Sequence, residues 1–198
     1  MLVAMGEIGV MFPGNRGVVT ELVTYGASPC VILGVQKGDI MLLAHIHRGN
    51  KVRSVLAQIR QILADANPPG SAAKAFITTE KYIKNREEAD HQERIVEELK
   101  LGLSNQGVTL CRECWDKSSA RITADGFQLL DDSDVISSLN TAESIDSIYW
   151  SDAYDRILKL STNSFKMVIR VGNLPYGVNH FQEVWGIMSK GHGFNPFG

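Results

Sequence analysis

Between residues 30 and 63 the spacing of apolar side chains switches from the period of a strand to that of a helix, and this switch constrains the fold more than any other feature of the chain. Residues 30–35 and 40–46 form two nearly unbroken apolar runs, joined by Gln36, Lys37, Gly38 and Asp39, with glycine at the tight point. They predict an antiparallel strand pair. In the second run Leu43, His45 and His47 share one side, and Leu42, Ala44 and Ile46 the other. Past Gly49 and Asn50, the residues Val52, Val55, Leu56, Ile59, Ile62 and Leu63 line one face of a helix, with Arg53, Gln58, Arg60 and Gln61 opposite.

Further strands are predicted at residues 2–5, 18–23, 75–79, 108–114, 120–123 and 126–130. A second helix over 86–103 turns Ile95, Val96, Leu99 and Leu103 inward, and Gly107 is placed to cap it. Strands and helices in this order give an α/β class: a sandwich of mixed, largely antiparallel sheet with two main helices. The last third has another texture, rich in Ser, Asp and Ile over residues 133–151 and loose over 191–198. The expected organisation is therefore a core over 1–132 and an extension over 133–198 that packs on it.

Charge excludes several function classes. Twenty basic and 22 acidic residues leave a net charge of -2, and no run of five like charges exists, which argues against nucleic acid or an anionic membrane as partner. The apolar runs fall far short of the roughly 20 residues that span a bilayer. With no basic flank or long apolar stretch at the N-terminus, a cytoplasmic location is expected. Three cysteines is an odd count, so reduced thiols rather than a disulfide framework are expected. Cys111 and Cys114 form a lone Cys-x-x-Cys without a second ligand pair, so no metal and no cofactor are expected.

The residues that carry chemistry lie early. Thr24, Cys30 and His45 put a hydroxyl, a thiol and an imidazole within 22 residues, the minimum kit for a cysteine nucleophile with a base and a group to orient it. His47 shares the face of His45 and rivals it. Each also has a plainer reading: a cysteine opening an apolar strand is usually core, and a lone histidine there is usually a hydrogen-bonded core residue. The acidic cluster of Asp131, Asp132 and Asp134 reads as a solvated face.

Met5, Gly6, Glu7, Val10, Met11, a Pro-Gly turn, Val18, Val19, Thr24, Gly26, Cys30 and then Ala44 and His45 occur in an order that resembles the CheD family, the chemoreceptor glutamine deamidases of bacterial chemotaxis. The similarity covers roughly residues 1–132 and continues through the helix ending at Gly107 and a final hairpin at Asp125 and Gly126. The resemblance implies that Cys30 is the nucleophile, His45 the general base and Thr24 the residue that holds the imidazole, acting on a glutamine side chain of a protein substrate. Where the family has Gly-Ser before its cysteine, this chain has Ser28 and Pro29. Proline has no N–H, so oxyanion donors would be the Cys30 N–H and the Ser28 hydroxyl, with Ser28 and His47 as candidate substrate-binding residues.

Overall fold

The computed structural model describes residues 1–11, 21–66, 72–82, 84–139 and 167–171. Nine strands and three helices follow one another among them: β1 (Glu7–Met11), β2 (Glu21–Thr24), β3 (Val31–Lys37), β4 (Ile40–Ile46), α1 (Val52–Ala66), β5 (Lys74–Thr78), α2 (Arg86–Asn105), β6 (Thr109–Cys114), β7 (Ser119–Thr123), β8 (Gly126–Leu130), α3 (Asp132–Leu139) and β9 (Val168–Val171). They build a six-stranded sheet in the order β6-β5-β3-β4-β1-β9 and a three-stranded sheet in the order β2-β7-β8. Most pairs are antiparallel; β5 with β6 and β1 with β9 are parallel. The α/β class read from the period switch is the one observed.

The β3–β4 hairpin lies in the middle of the large sheet because its side chains are apolar on both faces. Val31, Leu33, Val35, Leu42, Ala44 and Ile46 point to one side, where they meet Val55, Ile59, Val96 and Leu99 of α1 and α2. Ile32, Met41 and Leu43 point to the other, where they meet Leu22, Ala120 and Ile122 of the small sheet. The result is three layers, with helices, large sheet and small sheet stacked in that order. Burying an aliphatic side chain of this kind stabilises by about 1.5–3 kcal/mol, so both interfaces are driven mainly by apolar area.

Two glycines are fixed by geometry. Gly107 takes a positive φ of 69° just past α2, and the N–H groups of Gly107 and Val108 reach back to the carbonyls of Ser104 and Leu103, closing the helix in a Schellman motif as the sequence predicts. Gly34 stands opposite Phe76 across β3 and β5, and a Cβ there would lie 1.9 Å from the Phe76 Cε1 atom. Glycine therefore makes room for the Phe76 ring, which crosses to meet Phe127 of β8 with centroids 4.6 Å apart. Gly34→Ala is expected to destabilise by about 3 kcal/mol through overpacking, seen as a lower urea midpoint at unchanged slope.

The first strand departs from expectation. Residues 2–5 were predicted as a strand, but only Leu2 makes an isolated bridge, to Val23, and the strand runs over Glu7–Met11 instead. The two glycines that punctuate this stretch mislead: Gly9 sits inside β1 because Val3 occupies the space its side chain would need, 2.5 Å from an ideal Cβ. Of the residues after 132, 133–139 and 167–171 are described, and both stretches join the elements of the main fold. The boundary at 132/133 falls inside α3, and β9 pairs with β1 along Glu7, Ile8, Gly9 and Val10. Gln58 on α1 holds the approach to β9 by bonds to both the carbonyl and the N–H of Met167, at 2.9 and 3.0 Å. The predicted loose tail at 191–198 lies outside the described residues, as do 18–20 of the predicted second strand.

Candidate functional site

Three different segments bring the candidate residues to the layer between the large and small sheets. His45 is the sixth residue of β4 and pairs with Ile32 of β3, so the two point the same way, toward the small sheet. Cys30 comes two residues before Ile32, just ahead of β3, and belongs to the same apolar cluster as Ile32. Thr24 ends β2 in the small sheet, where its pairing with Ala120 turns it inward. Across the gap its Oγ1 lies 2.8 Å from the His45 Nδ1. Thr24 is fully buried and His45 is 1% exposed, so this bond is made out of water.

The hydrogen bond has a chemical consequence. For His45 to take a proton from a thiol through Nε2, its resting proton must be on Nδ1, which then donates to the Thr24 hydroxyl. Burial, aided by His47 and opposed by Asp132, lowers the pKa of His45 to about 3. The ring is neutral in the resting protein at pH 7, the state a general base requires.

The thiol is equally protected. Cys30 is 4% exposed, and its Sγ lies 3.5 Å from the Met5 Sδ. Burial pushes it up to about 12; Arg48 draws it down and Glu88 pushes it up. Cys30 is therefore a neutral thiol at rest, not the thiolate that a bare Cys-His pairing suggests. Met5 is half-buried and flexible by nature, and it packs against the sulfur. At pH 7 iodoacetamide is expected to modify exposed Cys111 before Cys30, and Met5→Gly to raise the Cys30 rate about tenfold, as read by peptide mass spectrometry.

The loop carrying Cys30 is held from beneath by groups the sequence did not single out. The Thr79 hydroxyl lies 2.6 Å from the Cys30 carbonyl and 3.0 Å from that of Ala27. Gln92, a buried polar residue of α2, places its Nε2 2.5 Å from the Thr79 Oγ1 and 2.9 Å from the Glu80 carbonyl. Its Oε1 accepts the Tyr82 N–H at 3.1 Å. Gln92→Leu leaves these groups unsatisfied and is expected to destabilise by about 2 kcal/mol, measured by thermal or urea unfolding. A glutamine among the inward positions Ile95, Val96 and Leu99 was the available signal.

Asp132 was read as part of a solvated acidic face, and the structure corrects this. Its Oδ1 accepts from the Gly26 N–H at 3.1 Å, from the Ser118 hydroxyl at 2.7 Å, and from the Ser119 hydroxyl. Burial works to raise its pKa, but the bonds from Ser119, Ser118 and Gly26, together with His45, hold it below the usual carboxylate value.

The other candidates stand at the rim. His47 is half-buried, and its Nδ1 accepts the Gly49 N–H at 3.1 Å, so that nitrogen serves its own turn. Ser28 is half-buried and gives its N–H to the Gly26 carbonyl at 2.9 Å. Arg48 pairs with Glu88 of α2 at 2.8 Å beside this rim. Cys111 and Cys114 lie on edge strand β6, three positions apart, roughly 10 Å along an extended chain and too far for a disulfide. Among the described residues no group of three His, Cys, Asp or Glu side chains could hold a metal ion, and no helix is long and apolar enough to cross a membrane. The chain matches no protein-family model, and a search of curated proteins finds no match.

Proposed function

We propose that this protein is a cysteine-dependent protein glutamine deamidase resembling the CheD family, with Cys30 as nucleophile, His45 as general base and Thr24 as the group that orients the imidazole. The observation that carries the reading is the buried bond of 2.8 Å between Thr24 Oγ1 and His45 Nδ1, in the layer between the sheets that also holds Cys30. With the proton on Nδ1, this bond leaves Nε2 as the acceptor, the form in which the ring can take a proton.

The chemistry follows from these groups. A glutamine side chain entering over Cys30 displaces Met5, and the thiol passes its proton to His45 Nε2. The sulfur attacks the carboxamide carbon, forming a C–S bond and a tetrahedral oxyanion that the Cys30 N–H and Ser28 hydroxyl can face. Collapse breaks the C–N bond, the imidazolium returns its proton to the leaving nitrogen, and ammonia departs. Water, deprotonated by the same ring, then hydrolyses the thioester to glutamate and restores the thiol. The raised resting pKa fits this order, since substrate entry and proton transfer belong to one event.

A second reading rests on the same burial: a protein-binding module that keeps the scaffold without the reaction, its thiol a core residue packed against Met5. Wild type and Cys30→Ser, incubated with candidate protein partners and scanned by mass spectrometry, separate the two. Gln-to-Glu conversion produced only by wild type supports the deamidase; no conversion with either, alongside intact partner binding, favours the module. The soluble, cytoplasmic setting expected from the sequence belongs to the same proposal.

A further inference from the structure

A cysteine–histidine pair oriented by threonine lacks something that many such sites possess. When Cys30 gives its proton to His45, the products are a thiolate and an imidazolium, and the imidazolium rests on a neutral hydroxyl in a water-free layer. A positive charge there needs a fixed negative partner, because no solvent can reorganise around it.

Among the described residues, titratable and charged groups lie near His45 on several elements. Cys30 precedes β3, His47 follows His45 at the end of β4, and Thr24 on β2 is neutral. Glu7 begins β1 beside β4, is 2% exposed, and accepts the Ala4 N–H at 3.0 Å. Arg48 and Glu88 act from the rim on Cys30. Asp132 enters from the start of α3, close to the end of β2: its partner Ser119 adjoins Ala120, and Ala120 pairs with Thr24. It also holds the Gly26 N–H, four residues before Cys30.

We propose that Asp132 is a positioning residue of this site, which locks the Gly26 turn ahead of Cys30 and supplies the negative charge for His45 once the imidazole has taken the thiol proton. The inference rests on the cysteine–histidine reading above and adds a fourth member to it. It also gives a reason for α3, at the start of the C-terminal third, to be built against the small sheet: its first residue completes the site.

The full chain and iodoacetamide test this, with Cys111 labelling as internal standard. Asp132→Asn keeps an oxygen for Gly26, Ser118 and Ser119 but removes the charge. The Cys30 alkylation rate is expected to fall about tenfold at pH 7, where attack on the reagent carries the thiol proton to His45, and to stay within twofold at pH 10, where the small fraction of Cys30 already ionised reacts beside a neutral ring. An unchanged rate at pH 7, or an equal fall at both pH values, overturns the proposal; so does a loss at pH 7 in Glu7→Gln but not in Asp132→Asn. If Asp132→Asn does not fold, Ser119→Ala replaces it: the charge remains with one donor fewer, the pH 7 rate should hold or rise up to threefold, and a fall overturns the role. His45→Ala separates the two levels. If it leaves the pH 7 rate untouched, the cysteine–histidine reading falls and this inference with it; if it removes that rate while Asp132→Asn does not, only the part given to Asp132 falls.

Discussion

Cys30→Ala is expected to abolish Gln-to-Glu conversion, a loss of about 10⁴-fold or more, while the folded protein remains. Cys30 is 4% exposed and its sulfur bonds weakly to Met5, so truncation leaves a small void and a stability loss of about 1 kcal/mol. Loss of activity with intact folding then belongs to the sulfur as nucleophile. Thr24→Val keeps the side-chain shape and removes the bond to His45 Nδ1; it should lower turnover about 10- to 100-fold, because the ring is left without its tautomer restraint. The ordering matters as much as the size: a nucleophile variant must lose more than an orienting one. Mass spectrometry of the converted glutamine over a time course measures both, and residual conversion by Cys30→Ala at the Thr24→Val level would leave the proposed reaction without its nucleophile.

How far the site could be read in the sequence depends on what each residue's partners are. The face of His45 was legible because strand alternation fixes the face of a side chain, and the apolar run around it left little doubt about the strand; Thr24 lay just past the strand predicted over 18–23, and its role beside the ring came only from the family resemblance. The helices α1 and α2 were legible for the same reason, through a period that a chain of 15 or 20 residues repeats several times. Asp132 was not legible. Its meaning comes from Gly26, 106 residues away, and from two serines on another strand, and a cluster of three aspartates looks the same whether one of them is claimed or none is. Thr79 and Gln92 were hidden likewise, since a hydroxyl after a strand and an amide on a helix declare themselves only when the loop they hold is folded against them. β9 is short and pairs with a strand over 150 residues earlier, a register no local pattern encodes. The thiol was legible as a residue but not in its state: the sequence suggested an activated cysteine, and burial makes it a neutral one.

Lowering the pH from about 6.5 to 4.5 is expected to remove roughly 2–3 kcal/mol of folding stability through His45 alone. The sign follows from the two states of the ring. In the unfolded chain it takes a proton near the ordinary value of 6.5; in the folded protein burial holds it at about 3, so across this window the unfolded state binds the extra proton and acid pulls the equilibrium toward it. His47, also held below its ordinary value by burial, acts in the same direction and to a smaller extent because it is half-exposed. Asp132 adds a further loss only at lower pH, since its depressed carboxyl stabilises the fold above the ordinary value of 3.8 and that stability goes as protons return to it. Urea midpoints taken across this window, for wild type and His45→Gln, isolate the buried ring: the variant starts less stable at neutral pH but declines less steeply. Parallel declines would mean that the ring is accessible to protons in the folded state, and a ring open to solvent protons is not shielded in the way that a base waiting beside a closed thiol must be.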